Sequence, residues 1–182
     1  MAFAESPSSG VPGGYTQVLP VEVQGEDSVL RGHVSEDVAA LVDKGVDQMN
    51  RHDLVGASNT FMQVLKADPG NKYAWYNLGV IAHQGNKLTS ARRAYEKALK
   101  TDPMFGPALY NQALLVQASD PDRAIALLKR AIASDPKAST AYFLLGEILA
   151  KRGSMSEAKD AFILAVTIDP QLRSEVPPGF LD

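Results

Sequence analysis

The sequence predicts an all-α fold, a solenoid of stacked antiparallel helix pairs. Three observations lead there. Asp-Pro recurs at Asp68-Pro69, Asp102-Pro103, Asp135-Pro136 and Asp169-Pro170, spaced 34, 33 and 34 residues. Apolar residues between these marks follow the 3.6-residue helical period. Each interval is broken once near its middle, at "RHD" (51–53), "QGN" (84–86), "SDPD" (119–122) and "RGSMS" (152–156). A period in this range belongs to supersecondary units that cannot bury an apolar face alone and must stack.

Proline explains the marks. It lacks an N–H, clashes inside a helix and disfavours helical backbone in the residue before it, so each Asp-Pro ends one helix and opens a turn. Gly85 and Gly153 suit left-handed closure of a helix. Asp120-Pro121 supplies an N-cap followed by proline at the first helical position. That break is one residue shorter, which accounts for the 33-residue spacing. The predicted helices are 36–51, 54–67, 71–84, 87–100, 105–118, 121–134, 138–152 and 155–168, grouped as four units over 38–71, 72–105, 106–138 and 139–172.

The flanks differ from the body. Residues 1–35 hold "SPSSGVPGG", which reads as a flexible linker. A short extended pattern lies near 15–24, with Leu19, Val21 and Val23 alternating with Pro20 and Glu22. Residues 173–182, "RSEVPPGFLD", form a Pro-rich tail whose Val176, Phe180 and Leu181 can fold back on the last unit. The whole net charge of −3 lies in the leader, leaving the body neutral. A neutral body has no net pull on nucleic acid or anionic lipid. The expectation is no nucleic-acid partner and no direct membrane insertion, since no apolar run approaches the ~20 residues that span a bilayer. The start lacks a basic n-region, so a cytoplasmic protein is expected; the alternative is an extracytoplasmic domain behind a removed signal or membrane anchor.

No catalytic constellation is legible. Cysteine is absent. His33, His52 and His83 lack metal-ligand spacing, and no nucleophile elbow, zinc-helix or P-loop motif occurs. The reading is non-enzymatic, with no cofactor and no metal.

In-phase positions then carry a specific resemblance. The second unit has Trp75, Leu78, Gly79, Ala91, Tyr95, Ala98 and Pro103; the fourth has Tyr142, Leu145, Gly146, Ala158, Phe162, Ala165 and Pro170. The third has Leu109, Gln112, Ala113, Ala124, Leu128, Ala131 and Pro136, and the first keeps Gly45, Ala57, Phe61 and Pro69. This pattern resembles the tetratricopeptide repeat (TPR). It departs from the family at the tyrosine closing the first half, replaced by Gln48, Ala82, Val116 and Leu149. The resemblance implies a right-handed superhelix whose first helices line a concave groove, and a role in protein–protein interaction.

Taking Trp75 and Leu78 as packing residues, the groove side holds Tyr73, Tyr76, Asn77 and Val80 in the second unit. Equivalent positions give Val42 and Val46 in the first, Tyr110, Asn111 and Leu114 in the third, and Phe143 and Glu147 in the fourth. These are the candidate peptide-binding residues. Tyrosines offer stiff contact area with a polar tip, and asparagine carboxamides can hold a peptide backbone. Asn77 and Asn111 equally suit a hydrogen bond within the array. The family's carboxylate-gripping groove uses lysine, asparagine and arginine where this chain has Val42, Val46, Tyr76 and Val80. An apolar segment, extended or helical, is the expected ligand. Segment 15–24 is one such segment, and self-association through it or through the C-terminal end is the alternative.

Overall fold

The computed structural model describes the backbone of residues 29–181 and the side chains from Glu36 onward. The described residues form eight α-helices: α1 (Val29–Asn50), α2 (Leu54–Ala67), α3 (Lys72–Gln84), α4 (Leu88–Thr101), α5 (Gly106–Val116), α6 (Pro121–Ser134), α7 (Ser139–Lys151) and α8 (Met155–Ile168). A 3-10 segment, Pro170–Glu175, comes after α8. Consecutive helices pair within each unit, and each second helix packs on the first helix of the next unit. No helix of the described residues is long and apolar enough to cross a membrane. The extended segment expected at 15–24 lies outside the described residues.

Local chemistry sets the boundaries. Asp53, Asn71 and Asp120 cap α2, α3 and α6 by accepting from the N–H groups of Gly56, Ala74 and Arg123. The Asp of each Asp-Pro also has a task. The carboxylates of Asp68, Asp102, Asp135 and Asp169 each accept the backbone N–H two residues on, at 2.9–3.1 Å. These bonds hold the turn that proline opens.

Two expectations change. Helix α1 begins at Val29 rather than 36. Only Gly32 weakens the added turns, and one interior glycine costs about 1 kcal/mol against alanine, too little to end a helix. Of the two glycines expected in left-handed turns, Gly153 is there at φ 81°, but Gly85 is not. Asn86 takes that conformation at φ 54°, and His52 takes it at φ 61° in the first unit. His52, Asn86 and Gly153 stand at one register position, so the turn geometry recurs while the residue varies.

The core lies in two clusters. One joins the first two units and takes in Phe105 and Ala108; the other joins the last two units and Leu172. Leu99 and Leu115 pack against both and stitch the array together. Gly45, Gly79 and Gly146 sit directly under the rings of Phe61, Tyr95 and Phe162.

Candidate functional site

The inner face is built by α1, α3, α5 and α7 lying side by side. Its deepest layer is packed. Val42, Tyr76, Asn77, Val80, Tyr110, Asn111 and Phe143 are all buried. Val46, Tyr73, Leu114 and Glu147 are half-exposed, as are His83 and Gln117 at the next inner positions of α3 and α5. Burial therefore re-ranks the expected groove set. A partner could touch four of these eleven side chains directly; the other seven form the wall behind them. Trp75 and Leu78, expected to be core, are only half-buried. The Trp75 indole donates from Nε1 to the Pro69 carbonyl at 2.9 Å, which holds it against the turn between α2 and α3.

The reason is the closeness of neighbouring first helices. Tyr76 stands edge-on to Phe105 at 5.5 Å between centroids and tilted against Tyr95 at 6.0 Å. Asn111 donates from Nδ2 to the Tyr76 hydroxyl at 3.1 Å, tying the third unit to the second. By register the partner of Asn77 would be Val42 in the first unit, which offers no hydrogen bond. Neither atom of the Asn77 carboxamide has a hydrogen-bond partner, although the residue is fully buried. In the fourth unit the position belongs to Leu144, so only one of three junctions carries the bond.

Sequence reasoning misses Phe105, the first residue of the predicted helix 105–118, as a packing residue. A signal exists: Asn71, Phe105, Ala138 and Leu172 share one register, and the last three are buried. Phe105 closes the mouth between α3 and α5, edge-on to Tyr73 at 5.6 Å. Above it, the Lys72 ammonium sits 5.2 Å from the Tyr73 ring and 5.0 Å from that of Phe105. It also binds the Asp102 carboxylate at 2.7 Å. That hydrogen bond holds the Asp102 carboxyl below its usual range.

Charge is disfavoured on the inner face. Burial lowers the pKa of His83, favouring neutral imidazole. Burial raises that of Glu147, with Glu175 adding to the rise and Lys151 opposing it. Burial also raises Tyr110, with Glu147 contributing. Among the described residues no group of His, Asp or Glu is placed to hold a metal ion. His52 is exposed, and the side chain of His33 lies outside the described ones.

Comparison with known proteins agrees with this architecture. The family model of the cytochrome c-type biogenesis protein H TPR domain matches residues 33–172. A curated relative, the probable UDP-N-acetylglucosamine–peptide N-acetylglucosaminyltransferase SPINDLY of Solanum lycopersicum, is 32% identical over 74 residues, 41% of this chain. The chain spans only 8% of that relative's length. The crystal structure of MamA superposes with a TM-score of 0.61 at 27% identity, covering 69% of this chain and 74% of that one. YrrB, described as a TPR protein with an unusual peptide-binding site, superposes with a TM-score of 0.64 at 22% identity. That match covers 79% of this chain and 76% of YrrB and shows a common fold. The TPR solenoid is in general a non-catalytic scaffold for protein interaction.

Proposed function

The chain belongs to the family of the cytochrome c-type biogenesis protein H TPR domain, and from that premise we propose a non-enzymatic scaffold that holds an apolar peptide or helix of a protein partner in its concave groove. The family's name supports a setting in cytochrome c-type biogenesis for this reading. One observation carries the ligand class. The reachable inner residues include Val46, Tyr73, His83, Leu114, Gln117 and Glu147, and burial disfavours the charged forms of His83 and Glu147. Among these six side chains no cation stands to grip an acidic tail, and the exposed charges Asp43 and Lys151 lie apart, in the first and fourth units. An apolar side chain would cover Val46 and Leu114, gaining about 25 cal/mol per Å² removed from water.

Tyr76 and Tyr110 are unsuitable for testing this, because truncating a buried tyrosine damages the fold itself. Leu114 is the better probe. A photocrosslinking amino acid at position 114 should capture a protein partner through an apolar segment. The same group at Ala126, on the outer side of α6, should not. Equal capture from both positions removes the groove assignment.

A second reading, a self-associating structural array, is favoured by Val55, Met62, Ile163 and Leu164, exposed on the second helices of the two terminal units. Light-scattering mass across a concentration series separates the two, since a groove-binding monomer keeps one mass throughout.

A further inference from the structure

The two ends of the array differ in chemistry. Each first helix after α1 packs on the preceding second helix, and by register the second, third and fourth units bring Ala74, Trp75 and Leu78; Ala108, Leu109 and Gln112; and Ala141, Tyr142 and Leu145 to that contact. The corresponding residues of α1 are Ala40, Leu41 and Lys44, of which Ala40 and Lys44 are exposed. At this register α1 carries Lys44 where the later first helices have Leu78, Gln112 and Leu145.

The C-terminal end carries an apolar strip with basic residues at its rim. Leu65, Leu99, Ile132 and Val166 share the register on which the next first helix rests, and Leu99 packs against both clusters. Beside Val166, α8 carries Ile163, 42% exposed, where α4 has Glu96 and α6 has Lys129. This position faces forward along the array, since Glu96 pairs with Arg123 of the next unit at 3.8 Å. Beyond α8 the tail takes the place of another helix pair. Leu172 is buried, Phe180 stands on Phe162 at 5.0 Å, and Val176 and Leu181 are half-buried. The tail fills its seat incompletely. A cleft of about 330 Å³ remains between Ile163, Val166 and Leu181, rimmed by Lys159, Thr167 and Arg173, and one of about 670 Å³ between Met155, Pro177 and Phe180, rimmed by Lys151 and Lys159.

We propose that this end face docks an amphipathic helix of a partner protein, with the tail from Val176 onward as its built-in competitor. The face continues an interface that the chain makes three times internally, and those three interfaces state the ligand's chemistry: a small residue, then large side chains at the next and fourth positions after it. By register a second copy stacked head to tail would present Lys44 where Leu78 and Leu145 stand, which argues against that occupant. Docking on this face does not depend on the concave groove.

The probe is a fluorescent peptide of residues 71–84, "NKYAWYNLGVIAHQ", titrated into the full chain by anisotropy. Binding is expected, strengthened several-fold by Phe180→Ala and weakened at least about tenfold by Ile163→Glu. Ile163 is already in contact with water, so a circular-dichroism melt should show that variant folded. Leu114→Arg, on the concave face, should bind the peptide as wild type does. Loss with Leu114→Arg but not with Ile163→Glu overturns the proposal, as does no binding to wild type and Phe180→Ala alike. A concentration-dependent dimer abolished by Ile163→Glu assigns the face to a second copy and overturns it equally.

Discussion

The second and third units share one plan and solve its closest contact differently. In the second, Gly79 of α3 lies under Tyr95 of α4, and a Cβ added to Gly79 would stand 2.4 Å from the ring. In the third, the same register holds Ala113 of α5 and Leu128 of α6, and both are fully buried. The first and fourth units side with the second, pairing Gly45 with Phe61 and Gly146 with Phe162. A flat ring laid across a helix needs the missing Cβ; a leucine leaves room for it. The small residue and its cover are therefore one coupled choice. A glycine inside a helix costs roughly 0.5–1 kcal/mol, offset here by the burial of a ring.

The coupling can be broken directly, and the largest effect lies there. Gly79→Ala should destabilise the array by about 1–3 kcal/mol, because the Tyr95 ring is packed on several sides and cannot yield freely. Adding Tyr95→Leu should restore much of the loss by rebuilding the third unit's solution. Ala113→Gly should cost only about 1 kcal/mol, the helix-propensity difference. Urea denaturation of the four proteins decides it. Equal losses for Gly79→Ala and Ala113→Gly, or no recovery in the double variant, would mean that the pair is not coupled.

The same two units differ in how they treat a buried asparagine. Asn111 bonds Tyr76; Asn77 has Val42 at the corresponding register, and its carboxamide has no hydrogen-bond partner. Asn111→Leu should cost about 1–3 kcal/mol, since it removes a bond made in a dry site. Asn77→Leu should be neutral or stabilising by up to about 1 kcal/mol, because it removes a desolvated group without a partner. The Tyr95 hydroxyl is also buried without a partner. Tyr95→Phe should behave like Asn77→Leu, and Phe61 and Phe162 already occupy that register. Thermal melts would show the contrast. A loss at Asn77 as large as that at Asn111 would indicate that its carboxamide is satisfied.

These pairings mark how far sequence alone carries. The period, the turns and most helix ends come from proline, capping residues and apolar spacing, all of which act over a few residues. The left-handed turn residue is Asn86 and not the expected Gly85, because glycine permits that conformation without requiring it and asparagine tolerates it as well. Register groups the inner-face residues but does not rank them by exposure. Whether Tyr76 faces a groove or a neighbour depends on how closely α3 and α5 approach. That distance is set by the whole array and by Phe105, 29 residues away in the chain. Periodicity reports direction around one helix; it does not report what stands opposite.

The smallest difference lies at the mouth of the groove, where the second unit has His83 and the third has Gln117. Burial holds the His83 pKa below its value in the unfolded chain. The neutral form is then favoured in the folded state, so stability is complete above about pH 6.5, the unfolded value. It is lost as pH falls through that value toward the folded one. His83→Gln gives the second unit the third unit's residue and removes this contribution. Wild type should lose more stability than the variant as pH falls from about 7.5 to 5.5. Glu147 acts with the opposite sign: its raised pKa means that its ionised form costs stability, a cost relieved as pH falls. That contribution is common to both proteins and cancels in the comparison. Asp102, whose pKa is depressed by Lys72, holds its contribution above about pH 4 and loses it only below. Parallel melting curves for wild type and His83→Gln across this range would show that the imidazole is solvated as freely as a surface residue.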